Sequence, residues 1–386
     1  MDFKNLRNLL DEMAGVYYPG IDMCIYKEHK PIFRYQAGYS DIESKRKVDP
    51  DALYYLFSCS KPITCAAALS LFEKGKFLLT DPVSEYLPEF ADVTVKEVDE
   101  KGNINLVAPQ RPIMIKDLFT MTAGLNYNLL EAPQIAEVIK LTGGKNPTRE
   151  IVKAISKIPL DFHPGEGYQY SLCHDVLGAL IEVVSGKSFG AYLKENIFDP
   201  CGMENTGFMK QNGALDGAEA KMPTLYEYGG KGVFTKKDTC NPYILGKYSE
   251  YESGGAGLVS CVDDYAKFAD AMANGGMSYL GERILTPKTI DVMRAPHVPF
   301  DKFSFDNKKC EGYTYGLGVR TFCSNTVGGQ LSNIGEFGWD GAANSYVIID
   351  PSEKLSVFCG ELLVNCMNHD APARYVNAIY SMLSCE

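Results

Sequence analysis

The hydrophobic pattern begins with a helical period and changes to a strand-like one. Apolar residues recur at helical spacing from Phe3 to Met13, and the pattern ends at Gly15, which predicts an amphipathic first helix. Two alternating runs follow at 20–27 and 31–39, joined by a short polar connection, and they predict a hairpin. The helix and the hairpin are expected to frame one face of a sheet.

The middle of the chain has mostly helical spacing, interrupted by proline and glycine. It predicts one hairpin, formed by 94–98 and 104–107. Helices are predicted at 115–121, 134–141, 149–155 and 175–184. The segment 219–252 has neither period, and long segments of this kind commonly form lids or pocket walls. Its tyrosines are expected to shape an acyl pocket: Tyr226, Tyr228, Tyr243, Tyr248 and Tyr251.

The last third of the chain returns to short alternating runs between two helices. A helix is predicted at 262–269, strands at 316–322, 345–349 and 355–360, and a closing helix near the end.

Strands towards both ends with helices between them predict an α/β (α+β) fold, in which helices flank an antiparallel sheet that is interrupted by a mainly helical insertion. We expect residues 1–78 and 253–386 to form the sheet domain and 79–252 the insertion, with an active site at their interface.

Composition excludes several classes of function. Of the 386 residues, 45% are hydrophobic and 23% charged, which is typical of a globular protein. The net charge of −11 disfavours nucleic acid as a partner. No run approaches the roughly 20 apolar residues of a membrane span, and the charged N-terminus does not resemble a secretion signal.

The twelve cysteines include no Cys-x-x-Cys pair, and the five histidines are not spaced as metal ligands. We therefore expect a cytoplasmic protein without metal or cofactor; the oligomeric state is left open.

One stretch carries a recognisable pair of reactive side chains. Ser58 precedes Lys61 by one helical turn, and the apolar run 65–72 follows at once. Both side chains should lie on one helix face, within hydrogen-bond reach. Burial or nearby cations can lower the pKa of a lysine enough for it to take the serine proton, and a helix N-terminus favours the oxyanion that follows. The pair is therefore a candidate nucleophile with its base.

Two further segments could complete such a site. Tyr170 lies at a glycine-rich entry into a helix, and a neighbouring lysine could pull the pKa of its phenol below about 10 and let it shuttle protons. Trp339, the only tryptophan, is followed by Asp340 and Gly341 just before a predicted strand. A glycine there would let the backbone aim an N–H at a carbonyl oxygen. Either aromatic residue could instead be ordinary packing.

Two competing motifs are interpreted as structural. A second Ser-x-x-Lys match at 44–47 lies in a charged loop with no apolar helix behind it, and we interpret it as a solvated turn. The match to Gly-x-Ser-x-Gly at 186–190 follows a predicted helix, whereas the nucleophile elbow of α/β-hydrolases must follow a strand. Gly186 should end that helix and Ser188 should cap the next one. A late histidine for such a triad could come only from His297 or His369.

The order and separation of three motifs resemble those of the class C β-lactamase superfamily, which includes penicillin-binding peptidases and the family VIII carboxylesterases and acyltransferases. The motifs are Ser58-Cys59-Ser60-Lys61, Tyr170-Ser171-Leu172 and Trp339-Asp340-Gly341, with support from 115–125 and 253–260. The resemblance implies that Ser58 is acylated, that Lys61 activates it and that Tyr170 relays protons. It also implies that the backbone N–H groups of Ser58 and Ala342, the latter on the strand after Trp339, hold the oxyanion.

Two departures from the lactamase pattern favour an esterase. Leu172 stands where lactamases have an asparagine, and no lysine of a Lys-Thr-Gly motif is present. Trp339-Asp340-Gly341 is similar to the Trp-Gly-Gly of the esterases, and Asp340 would add an anion that repels carboxylate substrates. Aligning 336–338 with the motif remains an alternative.

The sequence predicts a serine carboxylesterase or acyltransferase acting on a small ester. The alternatives are a β-lactamase or D-amino-acid peptidase, which would cleave an amide, and an inactive binding or assembly module.

Overall fold

The computed structural model describes residues 2–128, 131–211, 213–237, 241–246, 249–304, 311–366 and 370–383. The strands are β1 Gly20–Lys27, β2 Lys30–Asp41, β3 Arg46–Lys47, β4 Leu53–Tyr55, β5 Val95–Val98, β6 Ile104–Val107, β7 Gly207–Phe208, β8 Tyr226–Gly230, β9 Val233–Lys236, β10 Leu258–Cys261, β11 Tyr313–Tyr315, β12 Arg320–Phe322, β13 Phe337–Asp340, β14 Tyr346–Asp350, β15 Leu355–Gly360 and β16 Leu363–Val364. The α-helices are α1 Lys4–Met13, α2 Ser60–Glu73, α3 Ile115–Thr120, α4 Pro133–Leu141, α5 Thr148–Ile155, α6 Cys173–Ser185, α7 Phe189–Leu193, α8 Asp199–Cys201, α9 Val262–Ala273, α10 Pro287–Arg294, α11 Asn325–Gly328 and α12 Ala371–Leu383. Short 3-10 turns at Phe57–Cys59, Val83–Glu85, Pro88–Phe90, Ala218–Lys221 and Pro242–Ile244 and a π-helical turn at Lys194–Phe198 complete the elements.

The largest sheet joins the two ends of the chain. It has eight strands in the order β11-β12-β13-β14-β15-β1-β2-β3, paired antiparallel throughout. The first hairpin thus pairs directly with late strands, with β1 hydrogen-bonded to β15. The predicted antiparallel sheet flanked by helices is confirmed.

The sheet is covered on both faces because its central strands are apolar on both sides. Met23 and Ile25 face α1 and α12, whereas Cys24 between them belongs to the core that contains α2 and α9. This alternation follows the two-residue period of a strand. Helix α2 also packs against α6, so it lies between the sheet and the helices of the middle segment.

Most predicted elements are present, with bounds that differ by a few residues. One prediction about the strands was wrong, and one was incomplete. The segment 219–252 is not wholly irregular, because β8 and β9 form a hairpin there and β8 pairs in parallel with β16. The tryptophan motif precedes strand β14 as predicted, but Trp339 and Asp340 themselves belong to the additional strand β13. The boundaries 78/79 and 252/253 remain predictions.

Within the described residues, no single helix is long and apolar enough to cross a membrane. One bent pair, Cys173–Ser185 with Phe189–Cys201, passes the same test by length and composition alone.

Candidate active site

Ser58 lies on a 3-10 turn that leads into α2, and Lys61 lies in the first turn of that helix. Lys61 Nζ is 3.1 Å from Ser58 Oγ and donates to the carbonyl oxygen of Gly255 at 2.7 Å. The residue before the serine, Phe57, has φ +45°, a left-handed conformation that is uncommon away from glycine. Such strained positions cluster at functional sites.

Burial gives Lys61 the character of a base. Its side chain is wholly buried, and desolvation lowers the pKa of the ammonium to about 8, against an opposing pull from Asp175. The cause is the sequence of α2, which is apolar around most of its circumference and is buried from Ser60 to Leu71. A helix of that composition is a core helix, so a lysine in its first turn is carried into the interior.

Two tyrosines surround the Ser58–Lys61 pair. Tyr170 and Tyr127 stack with ring centroids 5.8 Å apart, and both phenols lie near the Ser58 hydroxyl. Lys61 Nζ lies 4.6 Å from the Tyr170 ring centroid and 3.4 Å from Tyr127 Oη. The structure thus brings Ser58, Lys61 and Tyr170 together.

The prediction of a lowered pKa for Tyr170 is wrong. Burial raises the pKa of its phenol well above 10, and the hydrogen bonds from Ser58 and Trp339 only partly oppose this. Burial likewise raises the pKa of Tyr127. Both phenols are therefore neutral hydrogen-bonding groups at ordinary pH.

The tryptophan motif approaches the serine from the sheet side. The Trp339 ring is buried, stacks on Tyr170 at 5.6 Å and donates from Nε1 to Tyr170 Oη at 3.1 Å. A Cβ placed on Gly341 would lie 2.5 Å from the carbonyl oxygen of Leu56, so a glycine is needed for this approach. Ala342 is exposed in the turn between β13 and β14, not on a strand as predicted.

Asp340 does not face the same way as Trp339. Neighbouring strand residues point to opposite faces, and Asp340 Oδ1 lies 3.2 Å from Arg320 Nη1. The guanidinium is buried, donates to the carbonyl oxygen of Val347 and lies 4.2 Å from the Tyr346 ring centroid. The expected anion at the pocket is thus paired with a cation on the other face of the strand.

The remaining predicted residues fall in different places. Leu172 is buried at the start of α6, where its N–H donates to the carbonyl oxygen of Asn126. Glu336, in the alternative register, is buried and accepts from Tyr313 Oη at 3.2 Å.

Of the five tyrosines expected to shape the pocket, Tyr243 contacts Tyr127 edge-on at 5.2 Å and Tyr251 Oη donates to Asp175. Tyr226 lies in the core beside α1 and α12, with Tyr228 packed against it. Tyr248 lies outside the described residues.

Both competing motifs are structural. Residues 42–45 form a turn, with the exposed β3 after it. Gly186 ends α6 with φ +71°, and Ser188 caps α7 by accepting from the N–H of Ala191 at 3.3 Å. His297 lies on the surface segment after α10, where its Nε2 pairs with the carbonyl oxygen of Val292, and His369 lies outside the described residues.

The sequence interpretation missed three parts of the site: Tyr127, Asp175 and the backbone of 253–255. Nothing in the local spacing separates Tyr127 from the other tyrosines. The paired glycines of 253–257 were a usable signal, because a Cβ on Gly254 or Gly255 would lie 2.2 Å from the carbonyl oxygen of His174 or 2.6 Å from Asp175 Oδ2. Among the described residues, no group of three or more His, Cys, Asp or Glu could hold a metal ion.

An antiparallel sheet with a buried Ser-x-x-Lys helix against it defines the class of β-lactamase and penicillin-binding protein folds. The chain belongs to the Beta-lactamase family, whose model matches residues 6–378.

Comparisons with individual proteins agree with this family. The chain is 30% identical to Esterase EstB of Burkholderia gladioli over 268 residues, covering 64% of this chain and 63% of that protein. EstCE1, described as a hydrolase with promiscuous acyltransferase activity, has a TM-score of 0.79 at 25% identity, with 98% of each chain covered. Simvastatin Synthase (LovD) from Aspergillus terreus has a TM-score of 0.80 at 22% identity, with 100% of each chain covered, and shares the fold. Membership of the family and the esterase relative support a hydrolase.

Proposed function

We propose that this protein is a serine carboxylester hydrolase or acyltransferase that forms an acyl-enzyme on Ser58. The observation that carries the proposal is the 3.1 Å contact between Ser58 Oγ and a buried Lys61 whose pKa is lowered to about 8. A serine becomes an effective nucleophile when such a base takes its proton. The esterase EstB and the hydrolase EstCE1 support ester chemistry.

In the proposed reaction, neutral Lys61 accepts the hydroxyl proton as Ser58 Oγ bonds to the acyl carbon. Backbone N–H groups of Ser58 and Ala342 stabilise the oxyanion. The bond to the leaving alcohol then breaks, and Tyr170 relays the proton to it. Water or a second alcohol attacks the acyl-enzyme, loses its proton to the same groups and returns Ser58 to its starting state.

The substrate is proposed to be a small ester without a carboxylate near the reacting carbonyl. Trp339 stands where the lactamases place a lysine, and the nearby cation Arg320 is paired with Asp340. A carboxylate would therefore lack the charge-assisted partner that binds it well.

Ester hydrolysis by serine variants tests the proposal. With short-chain p-nitrophenyl esters, Ser58→Ala should lose at least about a thousandfold in kcat/KM. Ser188→Ala, which alters the serine of the competing motif, should stay within about twofold. Peptide mass mapping of the parent, quenched during turnover and then digested, should show an acyl adduct on the peptide that contains Ser58. A Ser58→Ala variant that keeps most of its rate would contradict the mechanism.

A β-lactamase or D-amino-acid peptidase is the second candidate. It is favoured by a related protein from Escherichia coli, a putative D-alanyl-D-alanine carboxypeptidase that is 24% identical to this chain over 371 residues. Rapid turnover of a chromogenic cephalosporin would favour it, whereas slow cleavage would not.

An inactive binding module is the third candidate, and failure of a fluorophosphonate to label Ser58 in folded protein would favour it.

Within the leading proposal, adding an alcohol acceptor to the ester assay separates acyl transfer from hydrolysis.

We also propose a reducing, cytoplasmic location. Nine cysteines in the described part of the chain are free thiols, and all of these except Cys323 are buried. Protein trapped with an alkylating agent at lysis should yield all twelve thiols after unfolding. Disulfides in the trapped protein would contradict this location.

A further inference from the structure

A buried carboxylate lies behind the Ser58–Lys61 pair. Asp175, in the first turn of α6, is wholly buried, and its Oδ1 accepts hydrogen bonds from Tyr251 Oη and Ser253 Oγ, both at 2.6 Å. Its second oxygen, Oδ2, has no hydrogen-bond partner among the described residues. A buried carboxylate is costly unless a positive charge or further donors compensate it.

The uncompensated oxygen lies near the lysine. A Cβ placed on Gly255 would lie 2.6 Å from Asp175 Oδ2 and 3.5 Å from Lys61 Nζ, so both groups lie close to the same glycine. The carbonyl oxygen of Gly255 accepts from Lys61 at 2.7 Å. Asp175 is therefore an opposite charge directly behind the Lys61 ammonium.

Asp175 also holds the segment that carries this carbonyl. Ser253 Oγ donates to Asp175 and accepts from the N–H of Ala256 at 3.1 Å. On the other side, Thr64 Oγ1 of α2 donates to the carbonyl oxygen of Gly254 at 2.7 Å. The segment is thus fixed between α6 and α2 beside Lys61.

Asp175 differs in charge from the other titratable groups around Lys61. Burial raises the pKa of the thiols and phenols above the neutral range and lowers the pKa of the histidine to about 3, so these groups are uncharged near neutrality. They are Cys59, Cys65, Cys173, Tyr127, Tyr170 and His174. Asp175 instead acts on Lys61 through its charge, which raises the pKa of the ammonium and partly opposes the effect of burial.

We propose that Asp175 is a positioning residue that holds the Gly255 carbonyl against Lys61 and, through its negative charge, sets the pH at which Lys61 becomes a neutral base. The proposal rests on the proposed function. Without the charge, the ammonium would lose the negative charge that raises its pKa, and Lys61 would release its proton at lower pH.

The test compares Asp175→Asn with Tyr251→Phe. The asparagine can still accept from Tyr251 and Ser253 but carries no charge, whereas Tyr251→Phe removes one donor and keeps the charge. Two rates are measured from pH 5 to 10: kcat/KM for a p-nitrophenyl ester and the labelling of Ser58 by a fluorophosphonate. The acid limb is the range in which each rate rises with pH as Lys61 loses its proton. Its midpoint does not depend on how much of the protein is active, so a poorly folding variant still reports it.

We expect the acid limb of Asp175→Asn to move down by about one to two pH units, and that of Tyr251→Phe to stay within about 0.3 units of the parent. An acid limb in Asp175→Asn that is unchanged or moved up would overturn the proposal, however slow the variant is. If the unmutated protein is labelled but hydrolyses no ester, only the ester function is contradicted. The pH dependence of labelling still measures the effect of Asp175. A parent that is not labelled overturns both.

Discussion

Trp339 donates a hydrogen bond to Tyr170 through its indole nitrogen, at 3.1 Å, while the two rings stack 5.6 Å apart. Trp339 belongs to β13, and Tyr170 precedes α6, so this bond joins the sheet to the helices beside the serine. Because the phenol oxygen accepts here, the orientation of its own O–H is restricted. The tryptophan therefore orients Tyr170 as well as forming an apolar wall.

Trp339→Phe should lower kcat of the ester reaction by about tenfold and change KM little. The phenylalanine keeps an apolar ring but has no N–H, so Tyr170 loses its orienting donor. Steady-state kinetics with a p-nitrophenyl ester measure the effect.

Tyr315→Phe is the matched control. Its ring touches Trp339 edge-on at 5.0 Å, and its Oη has no hydrogen-bond partner among the described residues. Equal losses in the two variants would show that the loss in Trp339→Phe is not specific to the indole N–H.

The two tyrosines at Ser58 should differ when each is changed to phenylalanine. Tyr170→Phe should lower kcat by about a hundredfold or more, because it removes the proposed proton relay. Tyr127→Phe removes the 3.4 Å contact with Lys61 and a phenol near Ser58, so we expect a loss of about tenfold. Single-turnover acylation rates measure both. A larger loss in Tyr127→Phe would assign the relay to Tyr127.

Activity should rise with pH along a limb centred near 8. Lys61 must be neutral to take the serine proton, and burial lowers its pKa from 10.5 to about 8. At pH 7 only about a tenth of the molecules then hold the neutral base. The pH profile of kcat/KM measures the limb, and a midpoint near 10 would contradict a lysine base that is buried.

The same shift predicts that Lys61 lowers stability. An unfolded chain binds the lysine proton up to pH 10.5 and the folded one only to about 8, so this penalty is present below pH 8 and disappears as the pH rises to 10.5. Lys61→Met should therefore be inactive and yet more stable. At pH 7 its free energy of unfolding, measured with urea, should exceed that of the parent by about 1–3 kcal/mol. The lost bonds to Ser58 and Gly255 reduce the gain.

Asp340→Asn should cost stability without changing substrate charge preference. It removes the carboxylate that pairs with the buried Arg320 guanidinium, which should cost about 1–3 kcal/mol in urea unfolding. Asp291→Asn, at an exposed pair with Arg294, should change stability by less than about 0.5 kcal/mol. The preference for neutral over carboxylate-bearing esters should stay within about twofold in Asp340→Asn. A large relaxation would place the Asp340 charge at the pocket after all.

Local patterns sufficed where the relevant contacts are close in sequence. Ser58 and Lys61 are one helical turn apart, so their contact follows from helix geometry. The Gly186 stop and the Ser188 cap also follow from local rules.

The rest depends on partners distant in sequence. The pKa of Tyr170 rises because the fold buries it, and the position of Asp340 depends on Arg320 in a neighbouring strand. The hairpin of β8 and β9 was missed because its alternation is broken by glycines, and β8 is held by pairing with β16. Asp175 resembles any acidic residue in a first helical turn until Gly255 and Lys61 are placed beside it.

Glu361 supplies a prediction about the turn that carries Ala342. It is buried, its Oε2 accepts from Asn344 Nδ2 in that turn, and burial raises its pKa from 4.5 to about 8. Between these two values the folded protein holds a proton that the unfolded chain releases, so stability falls as the pH rises through this window. Glu361→Gln keeps an acceptor for Asn344 and has no charge to lose.

The stability of Glu361→Gln should therefore match the parent near pH 5 and exceed it increasingly up to pH 8, by at most about 1.4 kcal/mol per unit. Urea unfolding from pH 5 to 9 measures the difference. Glu336→Gln serves as the control, because burial raises the pKa of Glu336 only to about 7 and its divergence from the parent should stop there. If the free energies of unfolding of Glu361→Gln and the parent differ by a constant amount across this pH range, the carboxyl group is not protonated in the folded protein. The turn is then held by an ionised Glu361.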